Sequence, residues 1–225
     1  MRVPVVVAAR DVRMTYQIGS TRVEALRGIS LDVSAGEFLL LMGPSGSGKT
    51  TLLSILGGIL TPTSGAVVAC GTELTRLRRG ALARFRLLNI GFVFQGFNLF
   101  SALTAAENVQ LALGLKGDKV DARDKACELL EEVGLGEKCE RLPADLSAGE
   151  KQRVAIARAL AGQPRLIMAD EPTASLDSDN GKHVTMMMRR LAKSHGCSVL
   201  TVTHDPRIME VADRVLHIED GALRG

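Results

Sequence analysis

A glycine-rich stretch between two apolar runs constrains the fold of this chain more than any other feature. The stretch Gly43-Pro44-Ser45-Gly46-Ser47-Gly48-Lys49-Thr50 has the pattern G-x-x-x-x-G-K-[ST]. The apolar run Phe38–Met42 before it predicts a buried strand, and residues 51–56 after it predict a helix. Backbone N–H groups in such a loop can curl around a polyphosphate because glycine has no Cβ to clash. The helix that starts near Lys49 directs its positive dipole end toward the same phosphates.

The side chains at the end of this loop have separate expected roles. Lys49 supplies a point charge for the β- and γ-phosphates, and the Thr50 hydroxyl can ligate Mg²⁺. Lys49 is therefore expected to act in catalysis as well as in binding. The nucleotide contacts predicted from this stretch are Gly43, Pro44, Ser45, Gly46, Ser47, Gly48, Lys49, Thr50 and Thr51.

Composition narrows the class of partner. Of the 225 residues 46% are hydrophobic, which is typical of a globular chain. The net charge of +3 and the aromatic content of 3% argue against a nucleic-acid partner, which would need a basic face or stacking platforms. None of the four cysteines forms a C-x-x-C pair, so reduced thiols in a cytosolic protein are expected. No stretch approaches about 20 apolar residues, so any membrane must be crossed by another chain.

The order of apolar runs predicts an α/β fold with a mainly parallel sheet. Short strands are expected at 5–7, 12–16, 23–26 and 29–33, as an antiparallel sheet that precedes the loop strand. Residues 96–160 have helical spacing without a convincing strand, which predicts an inserted helical subdomain. Alternating strands and helices then return, with helices on both faces of the sheet. The division expected for one domain spanning 1–225 is a core from 1–95 and 161–225 and a helical part from 96–160.

Polar residues stand at the ends of three predicted buried strands, where parallel sheets bind ligands. Asp170 and Glu171 follow one strand: Asp170 is expected in the Mg²⁺ shell, and Glu171 is expected to orient or deprotonate the attacking water. His204 follows another strand and is expected to contact the γ-phosphate. Gln95 follows a third and can ligate Mg²⁺ or its water through the side-chain carbonyl.

A second phosphate-ready helix start is predicted at Leu146-Ser147-Ala148-Gly149-Glu150. Ser147 with Glu150 three residues later forms a capping box, so a helix begins here and runs to Ala161. Ser147, Gly149 and the free N–H groups of the first turn also make an anion site. One loop and one such helix start in the same chain suggest a nucleotide shared between two subunits.

With these motifs together, the chain resembles the ATP-binding subunit of an ABC transporter over essentially its full length. Its strand–loop–helix unit resembles the Walker A motif of P-loop NTPases with a RecA-like core, and residues 166–171 resemble Walker B with its catalytic glutamate. Gln95 matches the Q-loop, residues 175–177 with Asp177 the D-loop, and His204 the H-loop. Residues 146–150 resemble the signature motif, usually LSGGQ. Tyr16 matches the adenine-stacking A-loop, although the residue pattern alone fits a packed strand residue equally well.

The resemblance implies a set of ligands and partners. Two ATP molecules with Mg²⁺ would be sandwiched in a head-to-tail homodimer, each between one subunit's P-loop and the other's signature. A membrane permease would meet residues 96–104, on the cytoplasmic face of the bacterial inner membrane, with a periplasmic adaptor reached through the permease. Further similarity indicates the subfamily of macrolide exporters, lipoprotein-releasing ATPases and cell-division ATPases.

The signature departs from the usual pattern at two positions. Ala148 replaces a glycine, which is compatible with a helical first-turn residue. Glu150 replaces a glutamine and adds a negative charge near a helix start that must face a phosphate, and Lys151 and Arg153 are the expected compensating charges.

Two alternative classes fit parts of the pattern. A soluble ABC-type ATPase acting on DNA would carry a long coiled-coil insertion, and one acting on ribosomes usually joins two such domains. A P-loop kinase or GTPase would not need the Ser147 signature. A membrane-coupled ATPase is therefore the favoured interpretation.

Overall fold

The computed structural model describes residues 3–118 and 120–224. The strands are β1 Val5–Ile18, β2 Thr21–Ser34, β3 Phe38–Met42, β4 Ser64–Ala69, β5 Thr72–Glu73, β6 Ile90–Val93, β7 Leu166–Asp170, β8 Ser198–Thr203, β9 Arg214–Glu219 and β10 Ala222–Arg224. The helices are α1 Lys49–Leu56, α2 Arg79–Asn89, α3 Ala105–Leu115, α4 Ala122–Glu132, α5 Ala148–Leu160 and α6 Ser178–Ser194. Within the described ranges, no helix combines the length and apolar character needed to cross a membrane.

The strands form two sheets. The smaller sheet is antiparallel and has the order β2-β1-β4-β5. The larger sheet has the order β10-β9-β3-β8-β7-β6, in which neighbouring strands from β9 to β6 are parallel and β10 is antiparallel to β9. The predicted α/β architecture, with an antiparallel sheet and a mainly parallel one, is confirmed. The antiparallel sheet does not lie wholly before the loop strand, because β4 and β5 join it after α1.

The four short strands expected before residue 34 are two long strands of 14 residues each. The prediction was wrong because polar pairs interrupt the apolar alternation at Arg10-Asp11 and at Arg27-Gly28. Both interruptions contain a residue with positive φ, 45° at Asp11 and 89° at Gly28, and the pairing register shifts nearby. They are β-bulges within continuous strands. Because each bulge breaks the alternation of apolar and polar residues, sequence analysis placed a strand end there.

The core lies on both faces of the parallel sheet, because strand side chains alternate between the two faces. On β3, Leu39 and Leu41 pack with α1 and the antiparallel sheet. Phe38 packs instead with the helices on the other face. β7 divides in the same way, with Met168 on the first face and Ile167 on the second. This two-sided burial explains why both strands are continuous apolar runs.

The regular secondary structure described between β6 and β7 is helical, and loops connect the helices. It contains α3, α4, α5 and two short 3₁₀ turns, Gly136–Lys138 and Pro143–Asp145. The helix α5 packs against α3 and α4 and also against β6. It therefore joins the helical part to the parallel sheet.

Candidate functional site

The glycine-rich loop connects β3 to α1, as predicted. Gly48 is the N-cap of α1 and has a φ of 101°. A Cβ at Gly48 would lie 2.7 Å from the carbonyl oxygen of Ala25, and one at Gly43 would lie 2.1 Å from that of Ile218. Both positions therefore require glycine, because a side chain would collide with backbone that cannot easily move. No side chain caps the start of α1, so its first N–H groups face the loop.

The Lys49 side chain is buried within this loop. Its Nζ donates hydrogen bonds to the carbonyl oxygens of Gly43 at 2.7 Å and Pro44 at 2.8 Å. Ser47 is also buried, and its hydroxyl has no hydrogen-bond partner among the described residues. A buried ammonium, an unpaired hydroxyl and free helix N–H groups form a donor set that fits a phosphate group.

Thr50 and Asp170 provide oxygen ligands beside the loop. The Thr50 hydroxyl donates to Oδ1 of Asp170 at 3.0 Å. Burial raises the pKa of Asp170, the Glu171 carboxylate adds to the rise, and the Thr50 hydrogen bond and the Lys49 charge oppose it. Across the described ranges, no cluster of three or more His, Cys, Asp or Glu residues is suited to hold a metal. A hydroxyl and one carboxylate fit Mg²⁺ that takes its remaining oxygens from a phosphate and water.

Glu171 has a strained backbone and a firmly held carboxylate. Its φ is 47°, which is unusual for a residue with a side chain. Its Oε2 accepts a hydrogen bond from the Thr203 hydroxyl at 2.8 Å, and Nδ1 of His204 lies 2.8 Å from its Oε1. These contacts form because β7 and β8 are parallel neighbours that end together. Strain of this kind persists where the surroundings hold it in place, as in many active sites.

These elements enclose a cleft of about 400 Å³. It is lined by Ala25, Ser45, Gly46, Gly48, Lys49, Thr50, Thr51, Gln95, Glu171 and His204. The structure therefore brings the loop, the residues after β7 and β8, and Gln95 after β6 to one place. A larger cleft of about 530 Å³ lies among α3, α4 and the end of α5, and none of the predicted site residues lines it.

Ser147 and Gly149 line a separate recess of about 90 Å³ at the start of α5. The capping box is present: the Ser147 hydroxyl accepts from the Glu150 N–H, and the Glu150 carboxylate accepts from the Ser147 N–H. Ala148 is the first helical residue, as expected. Asp177 is the N-cap of α6, and hydrogen bonds from Asn180, which lines the same recess, lower the pKa of its carboxyl. Ser147, Gly149 and Asp177 are therefore not among the residues lining the P-loop cleft of their own chain.

Tyr16 is half-buried on β1, where it pairs with Val23 of β2. It does not line the cleft, but Ala25, two residues beyond its pairing partner, does. Tyr16 therefore lies on the strand next to the one that contributes Ala25 to the cleft.

The prediction of the cations that compensate Glu150 was partly correct: Arg153 is an ion-pair partner, but the nearest one is Lys138. Lys138, in the 3₁₀ turn Gly136–Lys138, donates to Oε1 of Glu150, and Arg153 lies 4.0 Å from the same oxygen. Lys151 forms no ion pair with Glu150 within the described ranges. Lys138 is 12 residues before Glu150 on another element, so no local pattern in the sequence could identify it.

The segment 96–104, expected to meet a permease, is held by two side chains that sequence analysis missed. Arg158 of α5 donates to the carbonyl oxygens of Phe97, at 2.7 Å, and Asn98. Both residues have positive φ, 60° and 49°. Asn108 of α3 is fully buried and accepts from the Phe100 N–H at 2.8 Å. The carbonyl oxygens that accept from its amide are those of Phe100, Leu103 and Thr104.

Among the large apolar side chains of the segment 96–104, Phe100 alone is exposed. Phe100 is 55% exposed. Its apolar neighbours Phe97, Leu99 and Leu103 are half-buried, and Leu99 packs on the core. A mainly apolar groove of about 420 Å³ adjoins the segment at Asn98. Its apolar lining includes Leu87, Phe92, Phe94, Ala112 and Leu115.

A phosphate-binding loop, an oxygen pair suited to Mg²⁺ and a held glutamate at the ends of parallel strands define a P-loop ATPase. The helical insertion adds a capped helix start, at Ser147, that lies in its own recess. This feature narrows the class of P-loop ATPase to ATP-binding cassettes. The family model described as ABC transporter matches residues 26–174, and the chain belongs to this family.

The share of each relative that this chain matches differs from one relative to the next. The macrolide export ATP-binding/permease protein MacB of Syntrophobacter fumaroxidans is 46% identical over 217 residues, which are 95% of this chain and 30% of that protein. The lipoprotein-releasing system ATP-binding protein LolD of Shewanella frigidimarina is 44% identical over 93% of this chain and 88% of its own. This chain thus spans less than a third of the first relative and most of the second.

Solved structures include a similar protein in a dimeric form. The ATP-binding cassette MJ0796, as a dimer in a post-hydrolysis state bound to ADP and Pi, matches with a TM-score of 0.88. It is 38% identical, and the match covers 97% of each chain. The chain is therefore an ABC-type ATPase cassette in sequence and fold.

Proposed function

We propose that this chain hydrolyses ATP as a head-to-tail pair with a second copy and thereby drives a membrane permease. The observation that carries the proposal is the separation of the P-loop cleft from the Ser147 recess in one chain. Two copies in opposite orientation would bring each cleft against the other copy's recess and enclose two ATP molecules. The dimeric form of MJ0796 supports this arrangement. The transporter names of the relatives lend no support to an ATPase acting on DNA or ribosomes.

In the hydrolysis step, Glu171 orients the attacking water and accepts its proton. Lys49 neutralises charge on the β- and γ-phosphates, and His204, held by Glu171, contacts the γ-phosphate. Thr50, Asp170 and Gln95 would hold Mg²⁺, which would neutralise charge that develops on the phosphate oxygens. Across the interface, Ser147 and Gly149 bind the γ-phosphate of the partner's nucleotide, and Asp177 lies beside them.

The permease surface is proposed to be the segment 96–104 with the adjoining apolar groove. Exposed Phe100 and the groove that adjoins the segment at Asn98 both offer apolar surface, which often marks a docking site. The segment follows Gln95 directly, so it can respond to nucleotide in the cleft. As part of the same proposal, the chain works at the cytoplasmic face of the bacterial inner membrane, with a periplasmic adaptor reached through the permease.

The proposed division is a core of residues 1–95 and 161–225 and a helical part of residues 96–160. The helical run between β6 and β7 supports it. Because α5 packs on both parts, a rotation of the helical part would move α5 against β6.

The proposed function predicts that Mg²⁺-dependent ATP turnover per subunit rises with protein concentration. Dimerisation is a second-order step, whereas turnover by a complete monomeric site would not change on dilution. Steady-state phosphate release should be measured across a hundredfold range of protein concentration, with Lys49→Ala as the control that cannot bind the phosphates. Constant turnover per subunit in a protein shown to be monomeric would contradict the proposal.

The proposed adenine platform predicts that Tyr16→Ala weakens ATP binding roughly fivefold, because stacking contributes on the order of 1 kcal/mol. Tyr16→Phe is the matched control, since it keeps the ring and removes only the hydroxyl. Calorimetric titration with ATP at low protein concentration measures the effect on one cleft. Equal affinity in Tyr16→Ala and the unmodified protein would favour the packed-strand interpretation.

A further inference from the structure

The first turn of α5 holds a carboxylate where the proposed dimer needs to hold a phosphate. Glu150 is three residues from Ser147, and its side chain is only 16% exposed. An anion in the first turn favours the helix itself. It opposes a second anion brought to the same helix start, because the partly buried setting weakens solvent screening. The negative charge of Glu150 must therefore be balanced if this helix is to bind the partner's nucleotide.

The structure shows which group provides the balance. Lys138 donates to Oε1 of Glu150, while Oε2 accepts from the Ser147 N–H at 2.9 Å. The hydrogen bond from Lys138 is the largest of the effects that lower the pKa of Glu150 to about 2, so the carboxyl is ionised at neutral pH. Arg153 is a weaker partner at 4.0 Å.

Lys138 is also held in place by its own backbone. Its N–H donates to Leu135 at 2.9 Å, and its carbonyl accepts from Arg141 at 3.0 Å. The same turn is anchored to α3, because Ala106 donates to the carbonyl of Cys139 at 2.9 Å. The ammonium is therefore presented to Glu150 by an anchored turn, which lowers the entropy cost of forming the pair.

We propose that Lys138 is a positioning residue for the nucleotide that the partner copy presents to α5. It neutralises Glu150 and keeps the carboxylate on the Ser147 N–H, so that the helix start keeps its attraction for a phosphate. This role rests on the proposed head-to-tail dimer. It explains how the first turn can carry glutamate where the usual signature has uncharged glutamine, which would cap the same N–H without a charge.

The test is a double-mutant cycle in the full chain with Lys138→Met, Glu150→Gln and the two together. Lys138→Met should raise the KM for ATP and weaken ATP-driven dimerisation about tenfold, with a smaller change in kcat. Adding Glu150→Gln should bring both values back to within about twofold of Glu150→Gln alone, because no charge is then left to balance. ATP affinity of the dilute monomer should stay constant in all variants, since the P-loop cleft is untouched.

A matched control distinguishes loss of the charge that balances Glu150 from general damage to the helical part. Lys125→Met removes another ion-paired lysine of the helical part, whose partner is Asp118 at 2.7 Å, and should leave KM and dimerisation unchanged. The defect of Lys138→Met should also shrink at high salt, because screening weakens the unbalanced charge.

Two results would overturn the inference. One is a Lys138→Met protein that dimerises with ATP as the unmodified protein does, and the other is a double variant as defective as Lys138→Met alone, which would indicate a structural role. Failure of the proposed function is distinguishable, because the unmodified protein would then show no ATP-driven dimer and no concentration-dependent turnover.

Discussion

Replacing Glu171 with glutamine should leave ATP bound and lower turnover by about 10²–10⁴-fold, the usual loss when a general base is removed. The amide keeps the shape of the side chain and can still accept from the Thr203 hydroxyl. It cannot accept a proton from water. The cleft should therefore still load with ATP and Mg²⁺, and the dimer should persist because hydrolysis no longer opens it.

Turnover and size-exclusion chromatography in the presence of ATP measure both effects. Glu219→Gln is the matched control, because Glu219 is an exposed acid on β9 paired with Arg224 and does not line the cleft. The control should turn over normally and should form a dimer only transiently. Near-normal turnover in Glu171→Gln would remove Glu171 from the role of general base.

Replacing Phe100 with aspartate should abolish assembly with the permease and its stimulation of ATP turnover, while ATP binding by the isolated chain stays intact. Burying a carboxylate in an apolar interface without a partner is strongly unfavourable. The fold should tolerate the change, because the ring is 55% exposed and Asn108 holds the backbone through main-chain atoms. Phe97→Asp and Leu99→Asp are expected to act in the same direction, although their half-buried side chains add a cost to folding.

Co-purification with the permease and permease-dependent ATPase activity should be measured in one preparation. Met186→Asp is the matched control, since Met186 is an apolar residue on α6 that is 52% exposed and lies outside the segment 96–104. Normal assembly of Phe100→Asp would refute the placement of the permease surface. Loss of ATP binding would instead show that Phe100 supports the core.

The parts of the site that sequence predicted well depend on local patterns. The loop from Gly43 to Thr50 and the capping box of Ser147 and Glu150 each involve residues a few positions apart. Asp170, Glu171 and His204 were predictable for a related reason, because parallel strands end at one edge of their sheet. The separation of Ser147 from the loop was also anticipated, because one loop and one signature helix start per chain suggested a nucleotide shared between two subunits. The lining of the Ser147 recess could not be predicted, since it depends on how α5 packs against α6.

The groups that sequence missed act across long separations. Lys138 pairs with Glu150 from another element, Arg158 holds carbonyls some 60 residues earlier in the chain, and the backbone held by Asn108 is irregular. No periodicity links such partners. The two long strands of the small sheet were missed for a different reason, because bulges at Asp11 and Gly28 interrupt the alternation without ending the strand.

In the proposed dimer, the continuous helix α5 would connect the partner's nucleotide at its N-terminus with the permease surface near its C-terminus. It contains no proline, and its one glycine, Gly149, lies in the first turn. From Ser147 to Arg158 it rises about 16 Å at 1.5 Å per residue. If the phosphate-facing N-terminal end of α5 shifts, Arg158 shifts with it, because the helix bends little. The movement therefore reaches the carbonyl groups of Phe97 and Asn98.

Coupling through α5 would act equally in both directions, because linkage between two binding sites is reciprocal. The factor by which the partner's ATP raises the affinity of this chain for the permease must equal the factor by which the permease raises its affinity for that ATP. A permease that binds one conformation of the segment 96–104 more tightly would therefore change the ATP concentration at which the two copies dimerise. It would do so through a surface that does not contact the nucleotide.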